Sequence, residues 1–584
     1  MPLWHARLRT DQRGNVAIMF GLSLLPVLAM TGAAIDYSQA SLVRARLQAA
    51  TDATALRLCQ LPKATADADI RSKALTWMKS YMASDAVTLP DKDFKIASDP
   101  RQIEMRSLVP STTYFGRIYK YFGATPFESA MPVSASARCA APVPQDFEIA
   151  LVLDTTGSMD RADKGGVSKM EALRKAAKDF LDFVASNPSF STNTRIAIVP
   201  FASAVALDAT TTDGAAWVDR DAKSSLHWTN FDVDKTVFKS RLEIFDSLKK
   251  KYSSWKWGGC FESLPYPLNV SDGGFDTGKG DSYYVPMLAP DEPGTAQDSV
   301  ATGYASGKKS TYSSYYRAYV QYSYNSYLGD KTNANNCQGD PGDAVTAEKR
   351  LCKYVSPSDT YFRAAAGTTV ANGPNYGCTS QPMLRLTTDM TALRNKIDSL
   401  TANGATNIQE GLIWGWRALS PNSVLADGVS YTKPNSRKIL ILMTDGFNSW
   451  NDNPYNPYSI NQSFYSSFGF FVNANDTKAS DGTATSRFPA TIANPTDSDS
   501  ARAAMDTLTK TTCDNIAKLP APIETFTIGF SIDSDKIDQK GIDLLAGCAS
   551  KPTNTHAFVA NDSTALVSAF RQIATSIGAL RLTQ

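Results

Sequence analysis

The sequence predicts an α/β protein: a doubly wound, mostly parallel sheet with large insertions, preceded by a transmembrane helix and a small α+β region. Three features of the chain predict this. From about residue 146 onward, short apolar runs alternate with amphipathic helical stretches, as strands covered on both faces by crossover helices do. Two tyrosine- and serine-rich segments, at about 205–383 and 447–497, interrupt that alternation. Near the N-terminus lies an uncharged run long enough to cross a bilayer.

That run is VAIMFGLSLLPVLAMTGAAI, Val16 to Ile35, with no charge between Arg13 and Asp36. Its roughly 20 apolar positions match the hydrocarbon thickness of a membrane. Arg7, Arg9 and Arg13 precede it, which predicts a cytoplasmic N-terminus and export of the remainder. The small residues Gly32 to Ala34 are the competing signature of a cleaved signal peptide. The run exceeds the roughly 7 to 15 residues of a signal-peptide core, and helix-forming sequence continues through SLVRARLQAATDATALRL. The expectation is therefore a retained anchor, with Pro26 tolerated inside the span. Beyond the membrane the helix would pack through Val43, Leu47, Ala50 and the Ala53/Thr54 pair, which fall near one face.

At 584 residues the chain predicts more than one domain. Residues 1–35 form the cytoplasmic tail and span, and 36–145 an exported helix with a small α+β region. The α/β domain occupies 146–584, after the stiff linker APVPQD at Ala141 to Asp146. Lys plus Arg (59) nearly balances Asp plus Glu (57), so nucleic-acid binding has no electrostatic support. With only His5, His227 and His556, His-rich zinc sites and an ordinary Ser/His/Asp triad have little material. The eight cysteines are even in number, widely spaced and without a CxxC pair, which fits disulfides in an oxidising compartment. One bridge between Cys59 and Cys139 would close the small α+β region; pairing among Cys260, Cys337, Cys352 and Cys378 stays open.

Within the α/β domain FEIALVLD, TRIAIVPFAS, RKILILMTDG, IETFTIGFSI and THAFVA read as strands. KMEALRKAAKDFLDFVASN, MTALRNKIDSL, NIQEGLIWGWRAL, ARAAMDTLTKTTCDNIAKL and STALVSAFRQIATSIGAL read as helices. In the first insertion YSSYYRAYVQYSYNSY places Tyr312, Tyr316, Tyr319 and Tyr322 near one helical face, and the expectation is that they pack the insertion's own core.

FEIALVL is followed directly by DTTGSM. Ligands of an open parallel sheet bind at the carboxyl ends of its strands, so Asp154, Thr156 and Ser158 would converge there. Thr406, ahead of a helix in NGATNIQEGL, and Asp445, ending the strand LILMTD, would reach the same edge. Two carboxylates and three hydroxyls form a hard oxygen set suited to a divalent cation, Mg²⁺ first and Ca²⁺ or Mn²⁺ as alternatives, with further ligands from water or a partner. A capped helix start explains DTTGSM by itself but leaves Thr406 and Asp445 unaccounted for.

These residues resemble the metal-ion-dependent adhesion site of von Willebrand factor A domains, a Rossmann-like family. Asp154, Thr156 and Ser158 match its Asp-x-Ser/Thr-x-Ser element, Thr406 its lone threonine and Asp445 its second acid. The resemblance implies a cation that holds a coordination position for an acidic group of a partner protein. The N-terminal RGNVAIMFGLSLLPVLAMTGAAIDYSQA and the ending CDNIAKLPAPIETFTIGF with LLAGCAS resemble TadG-like members of the Tad (Flp) pilus-assembly proteins. That resemblance implies a bacterial envelope protein with one inner-membrane span and its bulk in the periplasm, outer-membrane association being the alternative, and a disulfide between Cys513 and Cys548. Tad pseudopilins are cut after a Gly followed five residues on by Glu. Here Gly14 is followed by Met19, and a retained anchor fits better.

The expected function is pilus assembly, anchoring or adhesion through a metal-held protein partner, without catalysis. One alternative is an envelope scaffold with a purely stabilising metal site. The other is a metal-dependent hydrolase: phosphatase-type loops also place an Asp after a strand, but they want a carboxylate where Thr156 stands, and the chain contains no GxxxxGK[ST], GxSxG or HExxH.

Overall fold

The computed structural model describes residues 15–578 apart from 62–64, 99–100, 117–128, 141–145, 188, 234–235, 293–301, 306–307, 312–324, 326, 329–336, 338–343, 356, 358–372, 453–460, 475–476 and 479–483. The chain forms two compact units, one up to Pro144 and one over Gln145–Gly578. The linker residues 141–145 and the tyrosines 312, 316, 319 and 322 lie outside the described residues.

In the first unit α1 runs unbroken over Asn15–Cys59. Its first half exposes Met19, Phe20, Leu22, Leu24, Val27, Leu28 and Met30, while Leu47, Ala50, Ala55 and Leu58 are buried in its second half. It is the one helix among the described residues long and apolar enough to cross a membrane. α2 covers Asp67–Met82 and stops at Ala83, whose left-handed backbone (φ 48°) returns N–H groups to the last carbonyls. The strands β1 (Phe94–Ser98), β2 (Arg101–Thr112) and β3 (Ala130–Ala140) form an antiparallel sheet in that order. Ile70, Met78, Ile103, Met105 and Val133 share a core with α1. A disulfide joins Cys59 to Cys139, and Thr51 Oγ1 lies 2.6 Å from Ser107 Oγ across the helix–sheet contact.

The second unit is built on a six-stranded sheet. In chain order its strands are β4 (Asp146–Asp154), β5 (Arg195–Phe201), β6 (Leu384–Thr387), β7 (Ser436–Thr444), β8 (Glu524–Phe530) and β9 (Ala557–Ala560). In space the order is β9-β8-β7-β4-β5-β6. All neighbours are parallel except β5 and β6.

Side chains two residues apart on a strand share a face, and the two faces build separate cores. Ile149, Leu151 and Leu153 pack with α3 (Lys169–Ser186), α4 (Met390–Asp398) and α8 (Ser563–Ile577). Ala150 and Val152 pack instead with α5 (Ile408–Leu419). Gly415 permits that close approach, since a Cβ there would lie 2.4 Å from Val152 Cγ2. α6 (Ser498–Ala517) and α7 (Gln539–Cys548) belong to the same unit and are joined by Cys513–Cys548.

Between Phe201 and Leu384 no described strand joins this sheet. Helix Arg241–Lys251, an aromatic core around Phe261 and Tyr284, and the disulfides Cys260–Cys378 and Cys337–Cys352 organise that stretch instead. Buried Glu262 takes Arg241 from the same segment, together with Arg487 and the Tyr465 hydroxyl from the segment that follows β7.

Candidate metal centre

Because β4, β5 and β7 are parallel neighbours, their carboxyl ends meet at one edge. The register sets Asp154 beside Phe201 and Leu153 beside Met443, which brings Thr444 next to Asp154. Asp154 is fully buried. Its Oδ1 accepts the Thr156 N–H at 2.8 Å and its Oδ2 the Thr444 hydroxyl at 2.6 Å.

From Thr156 a chain of oxygens crosses to the next loop. Thr156 Oγ1 is 3.0 Å from Ser158 Oγ, which donates to Asp445 Oδ1 at 2.8 Å. Thr406 is buried on the loop ahead of α5, and a Cβ on Gly446 would stand 3.7 Å from its hydroxyl. The two loops are fastened by backbone bonds, Gly157 N–H to Gly404 O at 2.9 Å and Asn403 N–H to Thr155 O at 2.8 Å. Asp154, Thr156, Ser158, Thr406 and Asp445 thus gather at one edge from three separate loops. Residues 157–160 form a single 3₁₀ turn whose preceding Thr156 makes no capping bond. The true helix cap comes later, at Ser168, where a capping box with Glu171 opens α3.

Lys169, Thr444 and Asp535 were not foreseen in the sequence. The enclosed Lys169 ammonium donates to Asp445 Oδ2 at 2.8 Å and to Asp535 Oδ2 at 2.7 Å, while Arg161 reaches the other oxygen of Asp535. One signal was available: lysine in the first turn of a helix opposes the macrodipole, so a buried Lys169 requires acids nearby.

Burial, followed by the neighbouring Asp445 charge, pushes the Asp154 carboxyl up to about 7. Burial also raises Asp445, against the pull of Lys169. Two enclosed carboxylates this close favour a cation or a proton between them. Lys169 supplies one positive charge at Asp445, and among the described residues no cation is bonded to Asp154. No group of three or more His, Cys, Asp or Glu is placed to hold a metal among the described residues. Any cation would therefore rely on the three hydroxyls as well as the two acids, a donor set that suits a hard divalent ion.

Next to the Thr406 loop opens a cleft of about 210 Å³, walled by Tyr376, Trp450, Phe464 and Tyr465 with Asn403 and Asn407. None of its lining residues is charged.

Residues 14–57 match the family model described as putative Flp pilus-assembly TadE/G-like. The N-terminal segment is TadE/G-like. It takes in the apolar half of α1 and most of the half that packs on the antiparallel sheet. No curated protein matches the chain. Among solved structures the chain is similar to the PilB minor pilin from Streptococcus sanguinis, at 12% identity over 84% of this chain and 78% of that one, with a TM-score of 0.30. It is also similar to the vWF domain of the type V pili tip protein Mfa5 from Porphyromonas gingivalis, at 11% identity over 76% and 98%, TM-score 0.30. A third is the adhesive tip pilin GBS104 from Group B Streptococcus agalactiae, at 14% identity over 74% and 100%, TM-score 0.30.

Proposed function

We propose that this protein is a membrane-anchored envelope component of a Tad-type pilus system whose second unit is a von Willebrand factor A-type, doubly wound domain holding a protein partner through a divalent cation. The observation that carries this reading is the convergence of Asp154, Thr156, Ser158, Thr406 and Asp445 on one strand-end edge. The TadE/G-like segment supports the setting. α1 would place the N-terminus in the cytoplasm and the bulk in the periplasm.

Thr156, Ser158 and Thr406 would hold the ion through hydroxyls, with Asp154 and Asp445 binding it directly or through water. Mg²⁺ is the first choice, Ca²⁺ and Mn²⁺ the alternatives. The ion would supply a Lewis-acidic anchor for an acidic group of a pilus-assembly or envelope partner. The uncharged aromatic cleft beside Thr406 would seat a neighbouring side chain of that partner. We read the function as binding, not turnover, because the two acids and three hydroxyls together make the donor set of a hard cation.

Calorimetric titration of the full chain in detergent with Mg²⁺ and Mn²⁺ tests the site. Saturable binding that vanishes in Asp154→Ala, together with EDTA-sensitive recovery of one envelope protein by the parent chain only, is the expected result. Equal binding by Asp154→Ala would refute it. A second reading, a scaffold whose metal only stabilises the domain, is favoured by the internal partners that Ser158 and Lys169 already give Asp445. In that case EDTA lowers the melting temperature and leaves recovery of the partner unchanged.

A further inference from the structure

One face of α1 stays covered into its apolar half. Gly32, Asp36, Ala40, Leu47, Ala50 and Thr54 are all buried at spacings that repeat along one side of a helix. At the N-terminal end of this stripe the cover comes from the segment leaving β2. Phe115 lies on Gly32, where an added Cβ would come within 2.7 Å of its ring carbon Cγ. Asp36 accepts the N–H of Tyr114 at 2.8 Å and that of Phe115 at 3.1 Å. Tyr37 and Tyr114 are each 71% exposed on the outside of this contact.

The depth follows from helix geometry. Val16 to Ile35 rises about 30 Å, the thickness of a bilayer's hydrocarbon layer. Asp36 then stands at the layer's outer boundary, and Gly32 lies about 6 Å inside it. A chain segment at that depth must have its backbone N–H groups bonded within the protein, and Asp36 bonds both. Tyrosines at the same level match the aromatic belt of membrane interfaces.

We propose that Tyr114 and Phe115, clamped to α1 by Asp36, form a second lipid contact of the first unit, seated in the interfacial layer of the bilayer with Tyr37 and Tyr114 as its anchors. This rests on α1 being a membrane anchor. The partner is a phospholipid surface: Met30, Ile35, Tyr37 and Tyr114 are all exposed at this end of the apolar half of α1.

The test uses the full chain. All eight cysteines are disulfide-bonded, so Tyr114→Cys offers a single thiol for a nitroxide label. The labelled protein is placed in vesicles of phosphatidylethanolamine and phosphatidylglycerol, and collision of the label with oxygen and with a water-soluble nickel chelate is read by electron paramagnetic resonance. Leu24→Cys marks the lipid interior and Val559→Cys the aqueous phase. The expected oxygen-to-nickel ratio at position 114 is several-fold above that at 559 and falls towards it when Asp36→Ala is added. A ratio at 114 equal to that at 559, with position 24 in lipid, overturns the inference and leaves the anchor standing. Position 24 in water overturns both. Shielding of position 114 from both reagents marks a protein contact and also overturns it, as does a ratio indifferent to Asp36→Ala.

Discussion

Lys169 Nζ lies 2.8 Å from Asp445 Oδ2 with both side chains fully enclosed. The pair sits where the helix dipole disfavours a cation, so it is held by the acids around it. Removing one member of a buried ion pair leaves an uncompensated charge, at a cost of about 3 to 5 kcal/mol. Lys169→Met is therefore expected to lower the unfolding free energy by that much, read as a lower urea midpoint. Added Mg²⁺ should recover more stability in the variant than in the parent, because Asp445 and Asp535 then lack their enclosed partner. A midpoint equal to the parent's would show that the pair contributes nothing to the fold.

The segments before β6 and after β7 share a second set of buried acids. The Asn461 side-chain amide donates to Glu348 Oε2 at 2.6 Å and to Glu292 Oε1 at 3.3 Å. Burial raises Glu292 to about 7, and burial followed by the Glu292 charge raises Glu348 to about 8. Asp291, Lys349, Lys353 and Tyr376 also face the pair. A carboxyl with a raised folded pKa is bound to its proton more tightly in the fold than in the unfolded chain. Its stabilisation is complete below about pH 4.5 and is lost as pH rises towards 7 and 8, at about 1.4 kcal/mol for each tenfold difference in proton affinity between the two states. Thermal unfolding should occur at a higher temperature at pH 5.5 than at pH 8.5, and Glu348→Gln should narrow the gap. A gap of the same width in Glu348→Gln would exclude this pair as its source.

Glu262 is the common acceptor of Arg241, Arg487 and Tyr465. Glu262→Gln leaves two enclosed guanidinium groups without their counter-charge, so the loss expected in denaturant unfolding is about 3 to 5 kcal/mol. Tyr465→Phe removes one hydrogen bond and should cost about 1 kcal/mol. If the two substitutions cost the same, the ionic interaction is not what holds these segments.

Much of the sheet, and with it the strand-end positions of Asp154 and Asp445, was legible in the chain because each rests on a local signal. FEIALVLD reads as a doubly covered strand, and an acid or hydroxyl directly after such a strand has only one edge to occupy. The antiparallel β6 was not legible: Leu384–Thr387 holds Arg385 and Thr387 among its four residues and so makes no apolar run, unlike the equally short β9. Lys169 and Asp445 are 276 residues apart, and no local pattern links a first-turn lysine to a particular strand end. Glu292, Glu348 and Asn461 escaped for the same reason, since they meet only through tertiary packing of two irregular segments. Thr444 was hidden differently. It lies beside Asp445 in sequence, but its bond to Asp154 depends on the β4–β7 register.

Asn448 connects the Asp445 loop to the two helices behind it. Its Oδ1 accepts the Ile408 N–H in the first turn of α5 at 2.8 Å, and its Nδ2 donates to Asp506 Oδ1 at 2.8 Å and to Thr509 Oγ1 at 3.2 Å on α6. It touches none of the five candidate metal residues through these bonds, yet together with the Ser449 N–H to Thr406 O bond at 2.8 Å it ties the Asp445 loop to that of Thr406. Groups that orient ligands in this way alter metal affinity by about 10- to 100-fold when removed. Asn448→Ala should therefore weaken Mg²⁺ binding by that factor in calorimetry. Its unfolding free energy should fall by only about 1 to 3 kcal/mol, the cost of leaving buried partners unsatisfied. Asn448→Asp keeps the acceptor for Ile408 and loses the two donated bonds, so it separates the roles. Affinity retained in the aspartate variant assigns the positioning to α5, and affinity lost in both assigns it to α6. If Asn448→Ala binds Mg²⁺ as the parent does, the two loops keep their spacing without it.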